Sequence, residues 1–456
     1  MLATEIHEYR DALRAIWLRS AYDRGFISNP FWGDAAADLG LRRTEALLGL
    51  LDDPHRRCGI VHVAGSKGKG STCAFVASIT HEADYKTGLF TSPHLHSFRE
   101  RIAVNGVPIS ESDFTTLTRK TVAAAERLEG ERADLGEVTA FELSTAMAFR
   151  HFADTDCDLG VIEVGLGGTF DATNVVDPAV AIITALDYEH TRVLGSTLAG
   201  IAANKAGIIK ADKPVVSLAQ EPEALEVIEA VAREQRSDLY LEGRDWAGHG
   251  DWRDFAVSSP GGSFDHLRLG LAGDHQVQNA SAAVIATQIL GTQGYTIPEI
   301  AVRRGLESAT WPGRFEIVRL PNRPKFILDG AHTPASARVL VKTVLTEDSN
   351  SRRVVVLGMM SDKDPVSFAR ELAAVASVFI ATASRSPRAA AASDVLAGIH
   401  AAHCSAKSAP SVAEALSLAQ SEAGTGGTVI VTGSLSTVAE AREALGLAVG
   451  DPPVEA

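Results

Sequence analysis

The sequence predicts an α/β protein built from two successive units, each a mostly parallel sheet wrapped by helices. Three observations carry that expectation. Short apolar runs alternate with helical stretches along most of the chain, the pattern that produces parallel strands with helical crossovers. One of those runs opens into the glycine- and lysine-rich stretch VHVAGSKGKGST, Val61 to Thr72, so the first unit is expected to be a P-loop, ATPase-like sheet. The chain is also 456 residues long, more than one ordinary hydrophobic core accommodates.

Taken in order, the first 30 residues read as a helix without a motif. Gly59 to Gly65 is a short apolar run ending in glycine, hence a buried strand. Ser71 to Ala83 follows as an apolar helix and Lys86 to Ser92 as the next strand. Helices are expected around Glu111–Leu128 and Phe141–Phe152, then buried strands at Asp158–Gly168, Ala179–Leu186 and Lys213–Leu218. Residues 240–273 alternate and are rich in turn residues, which predicts hairpins at one edge. A helix from about His275 to Leu290 closes the first unit. The Pro-Gly break in TWPGRFEIV places a boundary near Thr310, giving units 1–309 and 310–456. A second, smaller, Rossmann-like series follows, with strands in KFILDG, RRVVVLGMM, SVFIATAS and GTVIVTGS. The tail GDPPVEA is expected to be frayed.

Composition bounds the function. The chain is 45% hydrophobic and 22% charged, as soluble globular proteins are. A formal charge of −14 argues against nucleic acid or an anionic membrane as partner. Cys58, Cys73, Cys157 and Cys404 form no CxxC pair, as expected of reduced thiols. The charged N-terminus lacks a signal-peptide core, and no apolar run nears the roughly 18 residues of a membrane span. A soluble, cytoplasmic monomer acting on small molecules is expected.

The glycine loop is the first chemical motif. Strand, glycine turn and helix N-terminus together present backbone N–H groups and a positive dipole end to an anion. Lys69 is placed to reach phosphates, and the hydroxyl of Ser71 or Thr72 to touch Mg²⁺. The standard spacing fails, because Gly65 is too close to the Gly-Lys pair and Gly70 separates Lys69 from Ser71. Glu163 is the second: a carboxylate within an apolar strand needs a partner, and Mg²⁺ at the strand's end would supply one. Asp171 and Asn174 follow on a loop, where turn chemistry is their ordinary role. The stretch TALDYEHT brings Asp187, Glu189 and His190 to the same edge, and His190 is a candidate ligand. Ser92 ends a strand before Pro93 and offers a hydroxyl. Lys205, in NKAGIIK, is expected to be exposed near a helix end. Asp329 and His332, in LDGAHTP, follow a buried strand of the second unit, with nucleotide binding and helix capping as competing roles.

Together these motifs resemble the folylpolyglutamate synthase and dihydrofolate synthase family, within the Mur-ligase-like ATP-dependent amide ligases. The resemblance runs from about Asp38 to Leu445 and includes HVAGSKGKGST, GLFTSPHLHSFRERIAVNG, TAFELSTAMAF, EVGLGGTFDATNVV, GDHQVQNA, LDGAHTP and VTGSLSTVAEAR. The off-pattern loop spacing is the one this family uses. The resemblance implies that Ser66, Lys67, Gly68, Lys69, Gly70 and Ser71 hold ATP phosphates and that Ser92, Glu163 and His190 ligate Mg²⁺. Lys205 matches a lysine that is carbamylated in family members. Asn279, Arg314 and Asp329 match ATP-contacting positions, and His332 is placed in the same cleft. Lys69, Lys205, Asp329 and His332 are the implied catalytic set. Asp38, Leu39 and Gly40, then Thr139, Ala140, Phe141 and Glu142, then Asp171 and Ala172, match the pterin-binding surface of bifunctional members. The implied reaction joins L-glutamate to dihydropteroate or to reduced folates through an acyl phosphate.

Five departures from the family pattern stand out. Ser66-Lys67 replace Thr-Asn, Thr169 replaces an arginine, YEHT replaces LDHT, NKAGI replaces EKAGI, and Thr333 replaces an asparagine. Two alternatives remain open on the sequence: a related ligase on a non-folate carboxylate, and a plain P-loop ATPase. Acceptor dependence separates them.

Overall fold

The computed structural model describes residues 2–20, 34–347 and 352–454. Its first sheet is formed by β1 (Gly59–Ala64), β2 (Thr87–Phe90), β3 (Ile102–Val104), β4 (Val107–Pro108), β5 (Leu159–Glu163), β6 (Val180–Ile183), β7 (Val215–Ser217) and β8 (Leu239–Leu241). The strand order is β4-β3-β2-β5-β1-β6-β7-β8. From β2 through β8 neighbouring strands are parallel, and β3 and β4 add an antiparallel edge. The β1, β5 and β6 residues are nearly all buried, which explains why they read as unbroken apolar runs rather than alternating ones. Register places Val63 beside Glu163 and Ala64 beside Ile183. The carboxyl ends of the three central strands therefore finish level, at the edge where open α/β sheets bind ligands.

Residues 240–273 do not form an edge hairpin of this sheet. β9 (Ala247–Asp251), β10 (Asp254–Ser258) and β11 (Phe264–Leu267) make a separate antiparallel sheet. Its Gly248 lies against Ser281 of the helix Asp274–Thr292. Phe255, Val257 and Leu267 join the core that this helix shares with Lys69–Glu82. The expected N-terminal helix is present as Tyr9–Leu18, and the part of that expectation at 21–30 lies outside the described residues.

The second sheet comprises β12 (Glu316–Val318), β13 (Lys325–Leu328), β14 (Arg353–Leu357), β15 (Val378–Ala381), β16 (Ala406–Ser408) and β17 (Thr428–Thr432), in the order β12-β13-β17-β14-β15-β16. Only β12 is antiparallel. Alternate residues of its central strands face two cores: Ile327, Val355 and Ile430 one, Phe326, Val354 and Val429 the other. The tail is not frayed up to Val454. Asp451 accepts hydrogen bonds from the Tyr9 hydroxyl and the Phe98 backbone, and Val454 packs on the first hydrophobic core. Among the described residues no helix is long and apolar enough to cross a membrane.

Candidate active site

The glycine loop joins β1 to the helix Lys69–Glu82, whose N-cap Gly68 is left-handed at φ +90°. A side chain there would also meet the Asn279 carboxamide, because a Cβ would lie 2.3 Å from its Oδ1. Glycine is therefore required at Gly68 by conformation and by space together. The loop is pinned to the end of β6: Ser66 and Lys67 backbone N–H groups both donate to the Ala185 carbonyl at 3.0 Å, and the Ser66 hydroxyl donates to the Asp187 carbonyl. The Ser71 hydroxyl accepts from Gln276, whose side-chain oxygen accepts in turn from Asn279. Gln276 and Asn279 are one turn apart and both buried on the helix Asp274–Thr292. This ties the loop to the closing helix of the first unit. Sequence reading singled out Asn279 but missed Gln276, whose signal was a polar residue at that spacing.

Cations crowd this loop. Lys69 Nζ and Lys205 Nζ both donate to the Gly65 carbonyl, at 3.1 and 2.7 Å. Lys205 is only 2% exposed, contrary to the surface position expected of it. Its helix, Leu198–Ala206, ends against the loop Gly167–Thr169, which packs on the backbone of Asn204 and Lys205, while the side chain runs to the Gly65 carbonyl and Glu189. Burial, then the Lys69 charge, lowers its amine to about 8. Glu189 is the counter-charge, 3.3 Å from Lys205 and 3.6 Å from Lys67. Burial pushes the Glu189 carboxyl up, but Lys69, Lys205 and Lys67 together outweigh it and hold the group below its ordinary value. Two departures from the family pattern, Lys67 and Glu189, are thus an ion pair.

Glu163 ends β5 and is 5% exposed, with Oε2 accepting from the Ser92 backbone N–H at 3.1 Å. Burial raises its carboxyl, while Lys69 and the Ser92 N–H oppose the rise. His190 stands at the rim with a left-handed φ of +48°, an arrangement that costs a non-glycine residue about 1 kcal/mol. Desolvation by the surrounding loop holds its ring below its ordinary value, with Lys205, Lys69 and Lys67 adding to it against Glu189. The ring therefore has a lone pair to donate. Oxygen donors dominate this set, as Mg²⁺ prefers, and a carboxylate driven toward protonation by burial gains most from a cation beside it. In donor type Ser92, Glu163 and His190 are compatible with a magnesium ion. Among the described residues no three His, Cys, Asp or Glu side chains form a ready-made metal cage.

The second sheet faces this edge with residues that already have partners. Asp329 accepts from the backbone N–H groups of Phe315 and Ala331, at 2.8 and 2.9 Å. It cross-links the two turns that carry Arg314 and His332 rather than capping the next helix. His332 Nδ1 lies 2.9 Å from the Gly330 carbonyl, and since a carbonyl cannot donate, Nδ1 carries the proton and Nε2 is left as an acceptor. Burial lowers the ring's pKa, and the Lys67 charge reaches it from across the cleft. Thr333 exchanges hydrogen bonds with Ser336 at the start of the helix Pro334–Glu347, the capping role an asparagine would also fill. Arg314 lies against Gly330, and its charge is felt at Glu163. Trp311, which sequence reading did not single out, covers Gly70.

The third group converges beside the loop. Thr139 and Glu142 form the capping box of the helix Ala140–Asp154. Arg43 grips Glu142 through two bonds of 2.7 and 2.6 Å, and Gly40 abuts the same carboxylate. Asp38 is exposed and Leu39 half-buried on the neighbouring helix Asp34–Gly49. Phe141 lies over Gly165. Asp171 is buried, accepting from Leu166 and Thr173, and caps the short helix Ala172–Val175. Burial, its largest influence, raises the Asp171 carboxyl. Ala172 is buried beside it. Thr169, at the position where the sequence departs from the family's arginine, donates its hydroxyl to the Asn204 carbonyl and packs on Gly207.

A phosphate cradle on one parallel sheet, crowded by lysines and faced across a cleft by the strand ends of a second α/β unit, defines an ATP-dependent ligase of the Mur type. The comparisons agree. Residues 63–287 match the Mur ligase middle domain and residues 313–435 the Mur ligase glutamate ligase domain. The chain is 35% identical over 417 residues to a dihydrofolate synthase/folylpolyglutamate synthase of Bacillus subtilis, covering 89% of this chain and 95% of that one. It is 35% identical over 408 residues to the Escherichia coli protein of the same description, covering 90% and 92%. The solved structure of E. coli FolC in complex with DHPP and ADP superimposes with a TM-score of 0.83 at 32% identity, covering 98% and 99% of the two chains. The chain belongs to the dihydrofolate synthase/folylpolyglutamate synthase family of Mur-type ligases.

Proposed function

We propose that this chain joins L-glutamate to folate carboxylates at the expense of ATP, and that it accepts both dihydropteroate and reduced folates. The observation that carries the reading is the convergence of Lys67, Lys69 and Lys205 on one glycine loop, beside Glu163 and opposite Arg314, Asp329 and His332. A substrate carboxylate attacks the γ-phosphate of ATP, giving an acyl phosphate and ADP. The glutamate amine attacks that carbonyl, and the tetrahedral intermediate collapses to an amide and phosphate.

In this reading Ser66 through Ser71 cradle the phosphates, and Lys69 exchanges the Gly65 carbonyl for a phosphate oxygen. Arg314 neutralises charge from the opposite side, where such interactions are strongest in a dry cleft. Asn279 contacts the nucleotide. Asp329 acts by holding the Phe315 and Ala331 turns, and His332 Nε2 is an acceptor for the incoming ammonium of glutamate. Ser92, Glu163 and His190 would hold Mg²⁺, which when bound supplies charge neutralisation to the phosphates. An amine lowered to about 8 is partly unprotonated near neutral pH, and the free amine is the form that takes up CO₂ and loses a proton to become a carbamate. That change would replace the Lys69–Lys205 repulsion by attraction. The surface of Asp38–Gly40, Thr139–Glu142 and Asp171–Ala172 would receive the pterin, with Phe141 as its aromatic wall. Closure of a C-terminal unit, beginning near Thr310, over the N-terminal one would exclude the water that destroys an acyl phosphate. We further propose a cytoplasmic monomer.

The test is incubation with ATP, Mg²⁺ and L-glutamate, with dihydropteroate or tetrahydrofolate in separate reactions, read by mass spectrometry. One added glutamyl unit on dihydropteroate and further units on tetrahydrofolate are expected. ATP hydrolysis without a mass gain on either acceptor would sink the folate reading.

A further inference from the structure

The C-terminal tail crosses back from the second unit to the first. After the helix Leu435–Ala444, Leu447 still packs on a core of the second sheet. Four residues later the Asp451 backbone N–H donates to the His96 carbonyl at 3.2 Å. The Asp451 carboxylate accepts from the Tyr9 hydroxyl at 2.6 Å and from the Phe98 backbone N–H at 2.7 Å. Since that hydroxyl proton is committed to Asp451, the Ser97 hydroxyl 3.1 Å away is the donor to the Tyr9 oxygen. A second tie runs parallel to the first. Arg442, on the same C-terminal helix, donates to His96 Nε2 at 3.0 Å and pairs with Glu316 of β12.

Both ties end on His96, in the loop that begins at Ser92. The loop's other end is fixed by the Ser92 N–H on Glu163. Its interior is held by Glu100, which accepts from the N–H groups of Leu95, His96 and Ser97. The loop is thus a stiff piece, bonded at one end to the first sheet's carboxyl edge and at the other to the second unit's last helix and tail. Leu95, His96, Arg314, Arg442 and Ala448 line one cleft between the units. Rotation of the second unit must either carry this loop or break the Asp451 and Arg442 bonds.

We propose that Asp451 is a positioning residue for the ligase reaction, strapping the Ser92 loop to the second unit so that unit closure and Ser92 placement move together. This rests on the reading of Ser92 and the cleft given above. None of the strap's partners is among the residues that cradle phosphate, so nucleotide affinity is expected to be spared.

The test uses the full chain with Asp451→Ala and, as a milder variant that keeps the Phe98 bond, Tyr9→Phe. Ligase turnover, ATP dissociation constant and amide hydrogen exchange of residues 92–98 are measured, the last with and without a non-hydrolysable ATP analogue and Mg²⁺. Asp451→Ala is expected to lower kcat about fivefold, leave the ATP dissociation constant within twofold, and speed exchange in the loop about tenfold. Tyr9→Phe is expected to lower kcat about twofold in the same pattern. Faster exchange with kcat unchanged in both variants overturns the proposal, because the tail then only stabilises the fold. Unchanged exchange overturns it also. A wild-type chain that forms no glutamyl product instead overturns the functional reading, and the exchange arm still decides whether the strap holds the loop.

Discussion

The two strand edges that face each other across the cleft are built on opposite principles. At the first, charges lean on one another: two ammonium groups share the Gly65 carbonyl, and burial raises Glu163 toward its neutral form. At the second, Asp329 has a backbone donor on each oxygen and His332 a fixed tautomer. The first edge stores electrostatic tension that anionic ligands and a cation relieve, and the second is a finished scaffold. A site that awaits charge can bind and activate phosphates, whereas a finished scaffold presents groups such as Arg314 and His332 in fixed positions. Substitutions at the two edges should therefore have opposite signs on stability.

The largest effect is expected at Lys69. Lys69→Ala should lower kcat/KM by about 10³-fold, the range for removing one preorganised charge from a phosphoryl-transfer site. The fold should not suffer, since the side chain's bond is to a carbonyl that Lys205 also satisfies. Thermal unfolding alongside steady-state kinetics checks both halves. A drop in activity matched by unfolding would break the comparison.

Asp329→Ala comes next, on the finished side. It strips the acceptor from two buried backbone N–H groups, at about 1–3 kcal/mol for a lost charged hydrogen bond. A loss of about 3 kcal/mol in denaturant unfolding is expected, with turnover reduced through displaced Arg314 and His332. Unchanged stability would mean that the scaffold does not depend on Asp329.

Much of this was legible in the sequence, for physical reasons. Buried parallel strands print as apolar runs, so β1, β5 and β6 could be placed within a few residues. A carboxylate in such a run, Glu163, announces itself because burial without a partner is costly. Lys205 could not be read, because the buried partner of its amine, the Gly65 carbonyl, lies 140 positions away in the chain. The anchoring of Asp451 was illegible for the same reason, its partners Tyr9 and Phe98 being 442 and 353 positions away. β12 hid in a stretch that reads as a Pro-Gly break, since it is three residues long and starts three positions after Gly313.

Lys205→Met gives the sharpest sign. The folded chain holds this amine at about 8 against an ordinary 10.5. Between those two values the unfolded chain keeps a proton the folded chain has released, so stability rises with pH across that window. Below pH 8 the full cost of the buried cation is present. At pH 7 Lys205→Met should stabilise the fold by about 1–2 kcal/mol, less than the whole shift implies because Glu189 loses a partner. Turnover should be lost. The stability gain should fade as pH approaches 10, as urea titrations at both pH values would show. Destabilisation at pH 7 would refute stored tension at this edge.

The smallest effect belongs to the Lys67–Glu189 pair. Lys67 is 42% exposed, so its pairing contributes at most a few tenths of a kcal/mol to folding. Its use is toward ligand: when phosphate arrives, Lys67 can leave Glu189 for it at little cost, adding attraction that an asparagine would not supply. Lys67→Asn should leave unfolding within about 0.5 kcal/mol and raise the KM for ATP about threefold with kcat unchanged. The difference from wild type should shrink at high ionic strength, because a half-exposed ammonium is screened by salt. A tenfold fall in kcat at constant KM would place Lys67 among the groups that act on the transition state, and the tension at this edge would then extend to its exposed rim.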